Sequence, residues 1–121
     1  MFRKLILVAA AIIMTGLTVV PASAADLTWR IRKTYGGTIY LEFYSQSSDR
    51  AWPGGGKAYV LRNNRFQTFR LRCRRGEKIC YGAWTRNESR YWGVGRYSEK
   101  YCRNCCYRCG GGSTRRITLS R

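Results

Sequence analysis

From residue 25 onward the apolar positions recur with period two. Leu27, Trp29 and Ile31 alternate with Thr28, Arg30 and Arg32, and Ile39, Leu41 and Phe43 alternate with Thr38, Tyr40, Glu42 and Tyr44. This is the pattern of strands with one face on a core and one in water. No i, i+3, i+4 apolar spacing is sustained over the same region. β-branched and aromatic residues fall in short runs, punctuated by Gly, Asn and Ser. The first two runs, joined across Tyr35-Gly36-Gly37, predict a hairpin. Residues 45–56 predict the longest loop of the first half. Residues 57–62 and 66–73 predict strands on either side of a tight turn at Asn63-Asn64. After a turn at 74–78, residues 79–85 and 90–94 predict a strand pair across 86–89. Residues 115–120 close the chain, with Ile117 and Leu119 facing inward. The pattern gives about seven short strands and an all-β fold class, a small antiparallel β-sandwich or barrel.

The first 24 residues read differently. Met1-Phe2-Arg3-Lys4 is basic, residues 5–20 are apolar apart from Thr15, Gly16 and Thr18, and Ala22 and Ala24 occupy the −3 and −1 positions of a small-residue site. A basic start, an apolar stretch and such a site make a secretory signal peptide. The competing reading, a transmembrane helix, needs about 20 apolar residues and does not normally end on Ala-x-Ala. Ala25 follows the site, so no Cys stands there to carry a lipid. The expectation is a leader over residues 1–24 and a single domain over 25–121. That domain is expected to be exported, periplasmic or secreted, with no transmembrane span after processing.

All six cysteines lie in the domain. A domain this small buries a limited core and often needs covalent staples, which an oxidising compartment preserves. Cys73 and Cys80 flank residues 74–79, a spacing that suits a bridge across a hairpin. Cys102, Cys105, Cys106 and Cys109 form a C-x2-C-C-x2-C cluster, in which the neighbours Cys105 and Cys106 should each find another partner. The expectation is Cys73–Cys80 plus two bridges within the cluster or from it to the sheet. Zinc is the alternative. The chain has no His, so such a site would be all-Cys, a knuckle of Cys102 and Cys105 pairing with Cys73 and Cys80. A catalytic dithiol needs a helix N-terminus in a βαβ unit, a pattern that does not occur here.

Charge then narrows the partners. Removing Arg3 and Lys4 with the leader leaves 21 cations against six acids, a net charge of +15. Only Lys33, Lys57, Lys78 and Lys100 of these are lysines. Arginine brings a planar fork that fits phosphate and carboxylate and stacks on rings, so the excess points to anionic polymers or surfaces: nucleic acid, lipid headgroups or cell-wall polymer. If Leu27, Trp29, Ile31, Ile39, Leu41, Phe43, Phe69 and Leu71 point inward, the opposite faces carry Arg30 and Arg32, then Tyr40 and Tyr44, then Arg70, Arg72 and Arg74. A shared Arg–Tyr platform is the predicted ligand-binding face. The competing reading is a solvated sheet surface whose Arg stems cover neighbouring rings.

Catalytic signatures are missing. Without His, Ser–His and Cys–His nucleophiles are excluded in their usual form. The six acids show no spacing that supports a glycosidase pair. Gly54-Gly55-Gly56-Lys57 lacks the span and the hydroxyl of a phosphate loop, and Gly93-Val94-Gly95 lacks the third Gly of a dinucleotide fingerprint. The aromatic run Tyr81, Trp84, Tyr91, Trp92 and Tyr97, beside Arg86, Arg90 and Arg96, reads as core packing under the Cys cluster, with a ligand-stacking groove as the other reading. The expected protein is therefore not an enzyme and needs no cofactor. It is a small cationic binding protein for anionic polymers or surfaces, or alternatively a secreted protein-interaction module anchored by an exposed Trp52. N-terminal sequencing of the exported protein should begin at Ala25; a chain that keeps residues 5–20 would instead be membrane-anchored.

Overall fold

The computed structural model describes residues 23–121, with Ile13 and Gly16 as isolated further positions. The rest of the predicted leader, and so most of the processing expectation, lies outside the described residues. Nine strands run through the described region: β1 (Ala24–Lys33), β2 (Ile39–Ser45), β3 (Ala51–Trp52), β4 (Tyr59–Leu61), β5 (Gln67–Arg74), β6 (Lys78–Thr85), β7 (Tyr91–Gly93), β8 (Cys106–Arg108) and β9 (Ser113–Leu119). They form two sheets. The smaller has the order β5-β1-β9, and the larger runs β3-β2-β6-β7, with β4 also on β2 and β8 also on β6. The fold is all-β and stapled by cysteines, an open stack of two sheets rather than a closed barrel. It is not wholly antiparallel, because β9 runs parallel to β1.

Alternation builds the core as the sequence predicts. Leu27, Trp29 and Ile31 of β1, Phe69 and Leu71 of β5, and Leu119 of β9 meet Ile39, Leu41 and Phe43 of β2 and Ile79 and Ala83 of β6 in one buried cluster. Trp29 sits at its centre, fully buried, with Phe43, Tyr81 and Tyr107 around its rings. The predicted pairing of 79–85 with 90–94 is present as β6 and β7.

The predicted hairpin between the first two runs does not form. β1 and β2 belong to different sheets, and residues 34–38 carry the chain from one layer to the other. Period two says which face of a strand is apolar but not which layer holds it. Two such strands can satisfy the same core from opposite sides. The turn after β5 repeats this crossing. Gly76, at φ +87°, closes it, and the Glu77 amide donates to the Arg74 carbonyl.

That crossing also overturns the expected Cys73–Cys80 bridge, since β5 and β6 diverge into separate sheets. The pairs are Cys73–Cys109, Cys80–Cys106 and Cys102–Cys105. The cross-strand geometry expected of Cys73 and Cys80 belongs to Cys80 and Cys106, which face each other in the β6–β8 ladder with Cα atoms 4.0 Å apart. Cys105 and Cys106 do take separate partners. Cys73, Cys80, Cys102 and Cys105, the zinc alternative, are divided among three different pairs and form no common cluster.

The cysteine segment covers the far face of the larger sheet. Tyr44, Cys80, Val94 and Cys105 make a second buried cluster there. Gly82 of β6 lets the chain at Val94–Gly95 close on the same face, because a Cβ at that position would strike the Gly95 carbonyl. β2 is therefore buried on both faces over most of its length. Glu77 fastens the turn after β5 to the loop after β2. It is buried, and its carboxylate accepts the Ser45 hydroxyl at 2.6 Å and the Arg74 amide at 3.0 Å. Burial pushes its pKa up, but these hydrogen bonds, with Arg50 and Ser48 nearby, outweigh burial and hold it below its ordinary 4.5.

Three outcomes follow from this architecture. Peptide mapping of the oxidised protein should recover Cys73–Cys109 as one link and the other four cysteines as one cross-linked cluster; a Cys73–Cys80 peptide would contradict the fold. Changing both Cys73 and Cys109 to Ser opens a link spanning 36 residues and should lower stability by about 3–4 kcal/mol, read by denaturant unfolding. The Glu77 contribution should be present in full above pH 4.5 and lost as pH falls through its depressed folded-state value. Glu77→Gln should flatten that acid limb and cost about 1–3 kcal/mol at neutral pH; an unchanged acid limb would show that Glu77 does not carry it.

Candidate polyanion-binding face

The smaller sheet keeps one face free, and strict alternation loads that face with arginine. In β5, Phe69, Leu71 and Cys73 are buried while Arg70, Arg72 and Arg74 are exposed. In the antiparallel β1–β5 ladder Thr28 lies opposite Arg70, Asp26 opposite Arg72 and Arg30 opposite Thr68. On the other side of β1, Arg30 lies beside Arg116 and Arg32 beside Thr118 of β9. All five arginines predicted from the sequence thus lie on this sheet, and Arg116 joins them. Arg32 donates to the Thr118 hydroxyl at 3.1 Å. The Arg32 and Arg116 guanidinium carbons lie 4.7 and 5.3 Å from the Phe66 ring centroid, over an aromatic that is 37% exposed.

Counter-charge on this face comes from Asp26. Arg70 donates to one Asp26 oxygen through Nε at 2.9 Å and Nη2 at 2.6 Å. Arg30, Arg72, Arg74 and Arg116 make no ion pair among the described residues. Like charges on adjacent strands repel, and stacking on Phe66 eases this only in part. The face therefore carries a built-up positive potential, with the guanidinium forks of Arg30, Arg72 and Arg74 free of ion pairs among the described residues.

The predicted aromatic half of the platform is elsewhere, because β2 belongs to the other sheet. Tyr44 is 8% exposed, and its hydroxyl accepts the Tyr97 amide at 2.9 Å. Burial pushes its pKa well above the ordinary phenol value. It is a structural post under residues 94–98, not a stacking surface. Tyr40 is half-buried, its ring nearly parallel to that of Trp84, its cross-strand partner. Trp52 is not the exposed anchor of the alternative reading. It is 8% exposed, donates its indole N–H to the Arg72 carbonyl at 3.1 Å, and is covered by Arg50.

Sequence reasoning also missed a depression of about 300 Å³ on the outer side of the larger sheet, where Tyr40, Glu42 and Trp84 meet Arg86 and Arg96. Arg96 lies over Trp84 and Tyr97 and is paired with Glu88 at 2.5 Å. Burial raises the Glu42 pKa, against the lowering effects of the Tyr44 hydroxyl and Arg96. The aromatic run of the sequence is divided here: Tyr81 and Trp92 pack against the core, Trp84 is buried, and Tyr91 and Tyr97 are exposed. The missing signal was the register that sets Tyr40 opposite Trp84.

Among the described residues, no three or more Cys, Asp or Glu side chains come together in a way that could hold a metal ion. No described helix is long and apolar enough to cross a membrane. No family model matches the chain, and neither a curated protein nor a solved structure is detectably similar to it.

Proposed function

We propose that this protein is an exported, non-catalytic binding protein for anionic polymers or surfaces, and that it engages them with the outer face of β5-β1-β9. The observation that carries the reading is the gathering of Arg30, Arg32, Arg72, Arg74 and Arg116 on the outer face of the smaller sheet, opposed there by Asp26, which Arg70 already engages. Export is supported by the three-part leader in the sequence and by three disulfides, which persist in oxidising compartments. Polyanions meet such a face through phosphate or carboxylate groups, and most of the binding energy is release of condensed counterions. Stacking adds little, since two guanidinium groups already lie over Phe66.

The test is a salt titration. The oxidised mature protein should bind a DNA duplex and phosphatidylglycerol vesicles, with affinity that falls steeply as salt rises. Arg30→Ala with Arg72→Ala should weaken duplex binding and flatten the log–log salt slope by about 1–2. Tyr40→Ala should have no effect. Equal losses from Arg62→Ala with Arg90→Ala would mean diffuse attraction to net charge, and the face would not be the site.

A further inference from the structure

A second cationic surface lies where the two sheets part. β8 pairs with β6 and β9 with β1, so an outer strand of each sheet borders the gap between them. A depression of about 470 Å³ opens there, lined by Arg103 and Asn104, by Tyr81 and Tyr107, and by Arg115 and Arg116. The volume is in the range of small-ligand sites. No acidic residue lines it. Arg103, Arg115 and Arg116 make no ion pair among the described residues, where the two pairs are Arg70–Asp26 and Arg96–Glu88.

Two devices position these residues. The first is a bulge. Thr28 pairs with Ser113 but Arg30 pairs with Arg116, so β9 carries one more residue than β1 between the two pairings. The extra residue sets Arg116 beside Arg30, and both Arg115 and Arg116 border the depression. The buried Thr114, whose hydroxyl donates to the Arg115 carbonyl at 2.8 Å, holds the irregularity. Bulges are rare in parallel pairs and serve to re-aim side chains. The second device is covalent. Cys102–Cys105 closes a loop whose only interior residues are Arg103 and Asn104. Cys80–Cys106 ties the next residue to β6, and the Tyr81 amide donates to the Cys105 carbonyl at 3.0 Å. Arg103 and Asn104 are thereby fixed beside Tyr81.

We infer that this depression is a socket for a tetrahedral dianionic oxyanion, the head of a phosphate monoester. Arg103, Asn104 and Arg115, with Tyr81 and Tyr107, line one opening, and Arg116 borders it while lying over Phe66. Guanidinium forks suit phosphate oxygens. Three clustered cations without a carboxylate are relieved more by a dianion than by a monoanion. The inference deepens and rests on the polyanion-binding reading. Arg116 connects the two surfaces, since it also stacks on Phe66 at the outer face.

Calorimetry on the oxidised mature protein tests it, with inorganic phosphate as the probe and sodium chloride holding ionic strength constant. Phosphate should saturate one site, with acetate about tenfold weaker or worse. Arg103→Ala and Arg115→Ala should each weaken phosphate by about tenfold, while Arg72→Ala leaves it unchanged within about twofold. No saturable phosphate binding, equal binding of acetate, or equal loss on Arg72→Ala would overturn the socket. Two further arms separate the sources of the phosphate. One compares 5′-phosphorylated with unphosphorylated oligonucleotide. The other compares phosphatidic acid with phosphatidylglycerol vesicles. A preference for the monoester, lost on Arg103→Ala, should appear in at least one arm; its absence from both overturns the proposal. Salt-dependent duplex binding that persists without phosphate binding retires the socket and leaves the outer face. Phosphate binding without duplex binding retires the outer face and leaves the socket.

Discussion

The covalent attachment of residues 106–109 to both sheets is the constraint on which the fold depends. Cys73 belongs to the smaller sheet and Cys80 to the larger, and their partners Cys109 and Cys106 lie within one short segment. That segment is a clasp between the layers. Its backbone completes the work: the Gly76 amide donates to the Cys109 carbonyl at 2.7 Å, and the Cys109 amide to the Glu77 carbonyl at 2.8 Å. A sandwich of fewer than about 100 residues has little core with which to hold its sheets together. Long links that lower the entropy of the unfolded chain supply what burial does not. Oxidising conditions are thus a requirement for keeping the clasp closed.

The clasp also explains which parts of the sequence were legible. β1 and β5 alternate cleanly because their sheet has one face on the core and one in water, so Arg30, Arg32, Arg70, Arg72 and Arg74 could be assigned to a surface by period alone. β2 shows the same alternation of residue type but is covered on both sides. Tyr44 there looks like a surface residue and is a buried one. Trp52 looked like an exposed loop aromatic because nothing in its neighbourhood signals that β3 would pair with β2. The layer to which each strand belongs was illegible, since a short turn can make a hairpin or cross the core with equal ease. That one ambiguity misplaced both the β1–β2 pairing and the Cys73 bridge. The cross-strand reasoning was sound, but it belonged to Cys80 and Cys106.

Arg116 and Phe66 were invisible for a different reason. Arg116 reaches the outer face only because the irregular register against β1 shifts it by one position. A strict period-two reading cannot see an inserted residue. Phe66 precedes β5 and would be expected to seek the core. It remains partly exposed, with a guanidinium over the ring from each of two strands.

The distribution of charge separates structural arginines from those left unengaged. Arg96 is held by Glu88 and lies on two rings, Arg70 is held by Asp26, and Arg50 covers Trp52. Each has a local task in the folded chain. Arg30, Arg72, Arg103 and Arg115 have no side-chain partner of this kind among the described residues. They are divided between the free face of the smaller sheet and the gap where the sheets part. Leaving cations close together and unpaired opposes folding, and this chain places very few acids where they would help. A surface built only for solubility would disperse such residues. Their concentration on two surfaces joined by Arg116 is the arrangement expected when the missing counter-charge arrives with a ligand.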